Sequence, residues 1–226
     1  MPTRIGSEND WQSISAGTNY TCALKGIGEL YCWGMNDPPQ LGNEPKIDKI
    51  TPTRIGVDSN WRKISAGWSH ACAVKGAGEL YCWGLNSYGQ LGDGTKMYKS
   101  IPTRIGADSD WQNISAGTFH TCALKGTGEL YCWGGNMFGQ LGEGTTVDKN
   151  TPNRIGTENG WQGVSAGGYN TCALKAIREL YCWGDNESGQ LGDGTKADKN
   201  SPARIDMESD WQNISVGEHH TCEGLL

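Results

Sequence analysis

The feature that most constrains the fold is a repeat of 50 residues that runs through the whole chain. Tryptophans recur at this spacing, at Trp11, Trp61, Trp111, Trp161 and Trp211. Each is followed by a version of Ile-Ser-Ala-Gly, and in the four complete repeats Glu-Leu-Tyr-Cys-Trp-Gly comes later. Repeats of this length are typical of propellers and solenoids, in which each unit buries its faces against its neighbours.

Within one repeat the apolar spacing is two residues, which predicts short strands rather than helices. In segment 111–116 this alternation groups Trp111 with Asn113 and Ser115 on one face. The apolar runs are bounded by Gly, Asn, Asp or Pro, and about four such strands in one unit match a propeller blade. The 34 glycines and 18 Trp and Tyr residues (10 and 8) suit tight turns and pleated surfaces.

Four sequence motifs are similar to those of a known repeat family. They are Ile-Ser-Ala-Gly, His-Thr-Cys-Ala-Leu (120–124), Leu-Tyr-Cys-Trp-Gly-x-Asn (130–136) and Gly-Gln-Leu-Gly (139–142). Together they resemble the regulator-of-chromosome-condensation (RCC1-type) repeat, over essentially the whole chain. The resemblance implies an all-β fold, a β-propeller that usually has seven blades. Here about four and a half blades are expected, as a partial or shortened propeller.

One repeat domain is expected over residues 1–226. Its units run over 11–60, 61–110, 111–160 and 161–210, with a partial unit at 211–226. An open arc is favoured, formed by a fragment or a shortened protein. Its two exposed blade faces would promote self-association. The alternative is a ring of five blades, in which residues 2–5 pair beside segment 211–222.

Eight of the nine cysteines form four pairs ten residues apart: Cys22/Cys32, Cys72/Cys82, Cys122/Cys132 and Cys172/Cys182. If Gly126-Thr127-Gly128 is the hairpin loop, Cys122 faces Cys132 in a non-hydrogen-bonded pair, where side chains approach most closely. Cross-strand disulfides are therefore favoured, and buried free thiols are the alternative. Disulfides would indicate an extracellular or periplasmic location, which nothing else in the sequence determines.

No metal, cofactor or catalytic centre is expected. A Cys-x9-Cys pair lacks the spacing of a zinc knuckle. His70 and His120 precede a cysteine by two residues, but Tyr20 and Asn170 occupy the equivalent positions, so these side chains are expected to hydrogen-bond within their own blade. We expect no nucleophile elbow (Gly-x-Ser-x-Gly), no Walker loop and no His-Glu-x-x-His helix. Because nearly every polar residue of note is repeated, whereas an active site is usually one asymmetric cluster, we also expect no enzymatic activity.

The expected partner is a protein. The net charge is −6 with no basic stripe, which disfavours nucleic acid, and no stretch approaches the roughly 20 apolar residues of a membrane span. The loops at 35–38, 85–88, 135–138 and 185–188 vary while the frame repeats, and variable loops on a rigid frame usually carry recognition. The candidate contact residues are Trp68, Tyr88, Met137 and Phe138.

The sequence therefore predicts a non-enzymatic, protein-binding scaffold of the RCC1-repeat type. Two alternatives stay open at this stage. One is a propeller lectin with a shallow glycan site on each blade. The other is guanine-nucleotide exchange on a small GTPase, which the name of the family suggests.

Overall fold

The computed structural model describes residues 1, 4–7, 9–176, 179–205, 211–218 and 220–224, and the expected all-β fold is confirmed. The described residues form 18 strands and no α-helix. The strands are β1 (Trp11–Ala16), β2 (Tyr20–Lys25), β3 (Glu29–Gly34), β4 (Lys49–Arg54), β5 (Trp61–Ala66), β6 (His70–Lys75), β7 (Glu79–Gly84), β8 (Lys99–Arg104), β9 (Trp111–Ala116), β10 (His120–Lys125), β11 (Glu129–Gly134), β12 (Lys149–Arg154), β13 (Trp161–Ala166), β14 (Asn170–Lys175), β15 (Glu179–Gly184), β16 (Lys199–Arg204), β17 (Asn213–Val216) and β18 (Thr221–Gly224). No helix in this described part is long and apolar enough to cross a bilayer.

Each repeat forms one antiparallel sheet whose strands pair in chain order. Four sheets have four strands, β1–β4, β5–β8, β9–β12 and β13–β16, and β17 pairs with β18 in a two-stranded sheet. We call these sheets blades 1 to 5. The first strands of successive blades contact one another, so β1, β5, β9, β13 and β17 are innermost. The sheets therefore radiate from a common centre.

A β-bulge near the start of the innermost strand changes the predicted alternation of side chains. In blade 3, Trp111 pairs with Lys125 and Asn113 pairs with Leu124, so Gln112 is the extra residue. The bulge brings Trp111 and Ile114 into the same buried cluster, whereas strict alternation placed them on opposite faces. The same shift occurs in blades 1, 2 and 4.

The core consists of separate clusters, each lying between two successive blades. Between blades 2 and 3, Leu80 and Leu91 of blade 2 pack with Trp111, Ile114 and Trp133 of blade 3. Equivalent clusters join blades 1 and 2 and blades 3 and 4. Since each cluster draws on two blades, an isolated blade would leave its apolar face in water.

Polar contacts also join neighbouring blades. The Ser65 hydroxyl accepts a hydrogen bond from the Ala116 backbone N–H (2.9 Å). The carbonyl of Gln90 accepts two hydrogen bonds from blade 3, from Trp133 Nε1 (3.0 Å) and from the Thr121 hydroxyl (2.8 Å). These contacts explain why Ser and Trp recur at these positions: each side chain pairs with a backbone group of an adjacent blade.

The cysteine pairs lie at disulfide distance, directly across the second and third strands of each complete blade. The predicted register is confirmed, because Lys125 faces Glu129 and the two cysteines of blade 3 face each other. The Cα atoms are 4.1 Å apart in all four pairs, the short separation of a non-hydrogen-bonded pair. The pairs are Cys22 with Cys32, Cys72 with Cys82, Cys122 with Cys132, and Cys172 with Cys182.

Blade 1 has one face that no other described blade covers. Ile14 is 68% exposed there, whereas its equivalent Ile114 is 7% exposed. Trp11, Ile14 and Trp33 line an apolar groove of about 420 Å³ together with Arg4 and Ile5. In the alternative of a five-bladed ring, residues 2–5 would pair beside blade 5. Positions 2 and 3 lie outside the described residues, and Arg4 and Ile5 lie beside blade 1 instead.

Candidate functional site

A buried asparagine holds each of the four long loops that connect the third and fourth strands. In blade 3, the Asn136 amide oxygen accepts the Leu141 N–H (2.9 Å), and its Nδ2 donates to the carbonyls of Thr145 (3.0 Å) and Val147 (3.2 Å). Asn36, Asn86 and Asn186 make equivalent contacts. Because the loop closes on this buried side chain, its tip at 135–138 is presented by a rigid support.

The short turns between the first and second strands form the centre of the same end of the molecule. Backbone hydrogen bonds join these turns across blades, from Trp68 N–H to Gly117 C=O (3.2 Å) and from Thr118 N–H to Gly167 C=O (3.0 Å). At Gly67 a Cβ would clash with the Gly117 carbonyl oxygen, so only glycine fits. The turns surround a central depression of about 280 Å³, lined by residues from all five blades.

Five aromatic rings form one continuous cluster beside this depression, which we call the aromatic face: Trp68, Tyr88, Phe119, Phe138 and Tyr169. Phe119 is central, with its ring centroid 5.4 Å from Trp68, 4.9 Å from Tyr88 and 5.4 Å from Tyr169. Phe138 packs on Tyr169 at 5.0 Å. The rings come from blades 2, 3 and 4, so this surface exists only when the blades are stacked.

The structure brings three of the four predicted contact residues into the aromatic face. Trp68 and Tyr88 are 41% and 42% exposed, and Phe138 is partly buried. The fourth, Met137, is 71% exposed next to Phe138 in the same loop, and no ring contact links it to the cluster.

The eight cysteines predicted to form disulfides lie inside the blades and not on the aromatic face. All eight are fully buried: Cys22, Cys72, Cys122 and Cys172 in the second strands and Cys32, Cys82, Cys132 and Cys182 in the third strands. Each lies at disulfide distance from the cysteine of the neighbouring strand. The cysteines therefore belong to the frame that supports the site, and they do not contribute to its contact surface.

The sequence prediction missed Phe119 and Tyr169, which connect the other rings. They occupy the position two residues after the turn glycine, where blades 1 and 2 carry Asn19 and Ser69. Comparing the repeats at that position would have found them, because only blades 3 and 4 carry an aromatic residue there. Gly135 makes room for the cluster: a Cβ there would lie 3.3 Å from the Phe119 Cβ and 3.5 Å from the Tyr88 Cβ.

Carboxylates border the aromatic face on its blade 4 and blade 5 side. The Asp185 backbone N–H donates to the Tyr169 carbonyl (2.9 Å), and Glu187 follows in the same loop. Glu218 lies over Gly168, where a Cβ would be 2.9 Å from the Glu218 Cγ. Partial burial raises the pKa of Tyr169, and the nearby Tyr88, Glu218 and Asp185 raise it further. The electrostatic environment of this edge is therefore negative.

The sequence of residues 1–222, nearly the full chain, matches the family model of the RCC1-like domain. The chain belongs to the RCC1-like domain family. This RCC1-like domain has no significant similarity to any curated protein sequence.

Solved structures share the fold of this RCC1-like domain. Prp20p from Saccharomyces cerevisiae matches with a TM-score of 0.88 and 21% identity, covering 100% of this chain and 58% of that one. Human WBSCR16 matches with a TM-score of 0.89 and 22% identity, covering 99% and 60% respectively. The RCC1-like domain therefore spans 58% and 60% of the length of these structures, and the predicted RCC1-type propeller fold is confirmed.

The buried histidines bind the next blade rather than their own, which corrects the prediction. His70 Nε2 is 2.9 Å from the Thr121 hydroxyl, and His120 Nε2 is 2.8 Å from the Thr171 hydroxyl. Desolvation lowers the pKa of both histidines from 6.5 to about 3, so they are neutral at pH 7. In the described residues, no group of three or more His, Cys, Asp and Glu side chains could hold a metal ion.

Residues 163–167 read Gly-Val-Ser-Ala-Gly and do match the nucleophile-elbow pattern, so the expectation that no such motif is present was wrong. The structure accounts for the match. Ser165 lies within β13, not on a strand-to-helix turn, and its hydroxyl accepts the Val216 backbone N–H (3.0 Å). It is one copy of the serine that joins successive blades, as Ser65 does.

Proposed function

We propose that this RCC1-like domain is a non-enzymatic scaffold that binds a protein partner through the aromatic face. The observation that carries the proposal is the contact of five rings from three blades, two of them about 40% exposed. Tyr and Trp are enriched among the residues that dominate binding energy at protein interfaces. Exposed aromatics held on a rigid frame bind with little loss of side-chain freedom.

The aromatic face is asymmetric, which favours one partner site over a lectin with equivalent sites on every blade. At the positions of Trp68 and Tyr88, blade 1 carries Thr18 and Pro38. A glycan site repeated on each blade would need similar side chains at these positions, and the repeats differ there.

Relatives of the same fold support a protein partner as a class. The structure of Prp20p was reported with its binding properties to Gsp1p and histones, and yeast RCC1 (Prp20) was also solved bound to Kap60. At 21% identity these likenesses concern the fold alone, so we do not assign those partners, or nucleotide exchange, to this chain. The four cysteine pairs favour an oxidising compartment, extracellular or periplasmic, as the place of binding.

The test compares proteins retained from an extract of the source organism by immobilised variants. The double variant Trp68→Ala/Tyr88→Ala removes the exposed rings of the aromatic face. The control, Met97→Ala/Tyr98→Ala, removes two exposed apolar residues from the outer part of a loop, 65% and 49% exposed. We expect the first variant to reduce retention of a specific partner at least about 10-fold, and the control to leave it unchanged. Equal retention by both variants would contradict the proposal.

A second contact surface is the uncovered face of blade 1, and self-association through it is a separate proposal. Its apolar groove around Trp11, Ile14 and Trp33 is the kind of patch that promotes assembly. We expect light scattering to show a mass that rises with concentration above 24.4 kDa, and Ile14→Lys to abolish the rise. A monomer at every concentration would contradict it.

A further inference from the structure

The segments that form the central end of the molecule carry only acidic charge. They comprise the turns at 17–19, 67–69, 117–119, 167–169 and 217–219 and the loop tips at 35–38, 85–88, 135–138 and 185–188. Four residues in these segments are acidic, Asp37, Asp185, Glu187 and Glu218, and none is Lys or Arg. A ligand that lies across the aromatic face therefore meets carboxylates and no competing cation from these segments.

Lysines do occur further out in the loops, but several are already neutralised by acidic partners. Lys99 lies 3.1 Å from Asp93, Lys149 lies 3.5 Å from Glu143, and Lys199 lies 3.3 Å from Asp193. Lys96 pairs with Asp148 at 3.5 Å. In each of these four pairs a carboxylate of the loops already lies beside the lysine.

We propose that the aromatic face binds a basic peptide segment of the partner, with an arginine or lysine side chain lying on the Phe119 and Tyr169 rings beside Glu218. This inference rests on the proposed function and names the chemistry of its partner. Aromatic faces carry negative electrostatic potential and attract cations, and Arg in particular stacks on them. The nearby carboxylate adds a Coulombic attraction for the same cation, which salt would screen.

The same frame already contains cation–aromatic contacts inside each complete blade. Lys125 Nζ lies 5.2 Å from the Trp111 ring centroid and 5.4 Å from that of Tyr131. Between the loops of blades 1 and 2, Lys46 Nζ lies 4.2 Å from the Tyr98 ring centroid. Among the described residues, no such lysine contact is made with the five rings of the aromatic face. An external cation can therefore supply this contact.

The experiment selects peptides from a random displayed library on the immobilised full chain, with counter-selection on Phe119→Leu. Leucine keeps the apolar packing but removes the ring. We expect the selected peptides to be enriched in Arg and Lys. Replacing the cationic residue with citrulline or acetyl-lysine should weaken binding about 5- to 30-fold, measured by fluorescence anisotropy.

Charge variants of the protein provide the second readout. We expect Glu218→Gln to weaken the selected peptide about 2- to 5-fold at low salt, with the difference shrinking as salt rises. Glu158→Gln removes an exposed carboxylate, paired with Lys175, from the connection at 155–160 at the opposite end, and should change nothing. Tyr98→Ala is the matched aromatic control. Circular dichroism checks that every variant is folded.

Any one of three results overturns the inference. The selected peptides show no excess of Arg and Lys, the citrulline or acetyl-lysine peptides bind as tightly as the originals, or the selected peptides bind Phe119→Leu as tightly as the wild type. The two proposals fail separately. If binding needs the rings but not the peptide's charge, the protein-binding role stands and the cationic partner does not. If Trp68→Ala/Tyr88→Ala retains the extract proteins as well as the wild type, the protein-binding role itself falls.

Discussion

Replacing Ile114 and Ile14 with alanine compares the same residue at equivalent positions of two blades, one covered by a neighbour and one not. Ile→Ala removes three carbon atoms, and at about 0.8 kcal/mol per buried carbon the transfer cost at full burial is about 2.4 kcal/mol. Ile114 is 7% exposed between blades 2 and 3, so nearly the full cost applies there. A residual cavity raises the expected loss to about 3–4 kcal/mol.

At Ile14, which is 68% exposed, only about a third of that transfer cost remains. We therefore expect Ile14→Ala to lower the free energy of unfolding by about 0.8 kcal/mol or less, without a cavity contribution. The two losses should differ by at least about 2 kcal/mol, which urea unfolding resolves well.

The assay is urea unfolding followed by far-ultraviolet circular dichroism at several low protein concentrations. Low concentration keeps self-association through blade 1 from covering Ile14. An equal loss in the free energy of unfolding for Ile114→Ala and Ile14→Ala at every protein concentration would refute the reasoning. It would mean that part of the same chain covers the face of blade 1, so that the blades are arranged differently. A loss at Ile14 that grows with concentration would instead indicate association through that face.

Three further predictions concern the interiors of the blades and the contacts between them. Gly142→Ala should lower the free energy of unfolding by about 1–3 kcal/mol more than Gly192→Ala does. Both glycines have positive φ (80° and 74°), but a Cβ at 142 would lie 2.6 Å from Trp183 Nε1, whereas at 192 the nearest atom would be 3.7 Å away. Equal unfolding midpoints for the two variants would contradict the packing described between blades 3 and 4. If eight of the nine cysteines form disulfides, a thiol assay on the denatured chain should find one thiol before reduction and nine after it. Reduction should lower the free energy of unfolding, measured in urea, by about 2–3 kcal/mol per pair. Nine thiols before reduction would exclude the disulfides. Burial lowers the pKa of His70 and His120 from 6.5 to about 3, so between these pH values the unfolded state binds more protons than the folded state. The free energy of unfolding should therefore fall as the pH drops through that range, by up to about 1.4 kcal/mol per pH unit for each histidine. The variant His70→Asn/His120→Asn, which copies Asn170, should flatten that slope, and an unchanged slope would show that other groups cause it.

The strand register within each blade was predictable because a short hairpin loop fixes it locally. Gly126-Thr127-Gly128 sets Lys125 opposite Glu129, and the remaining pairs follow by counting outward to the cysteines. The 50-residue period likewise predicted repeated blades, since a single sheet cannot bury both of its faces.

Contacts between blades were not predictable in the same way, because their partners lie about 50 residues away. The bulge at Gln112 has no local turn signal; it brings Trp111 and Ile114 together against blade 2. His70 was assigned to its own blade for the same reason, since nothing near it in sequence points to Thr121. Such contacts depend on how one blade rotates onto the next.

The candidate site was predictable only where the loops vary visibly. Tyr88 and Phe138 stand in loop tips that differ between repeats, and the structure places both on the aromatic face. Phe119 and Tyr169 were missed because each lies in a short turn, directly before the buried residue His120 or Asn170. Such a position suggests a role in folding rather than in binding. Their role follows from the way three blades converge at one end, which no single repeat encodes.

The interlocking of each blade with only its immediate neighbours has an evolutionary consequence. The clusters between blades use the same types of side chain, and the serine contact between blades spans 51 residues each time, as from the Ser65 hydroxyl to Ala116. Duplication or deletion of one 50-residue cassette in the gene would therefore recreate each junction intact. The aromatic face is assembled from three unlike blades, so the loss of blade 2, 3 or 4 would remove rings from it even where the junctions are restored.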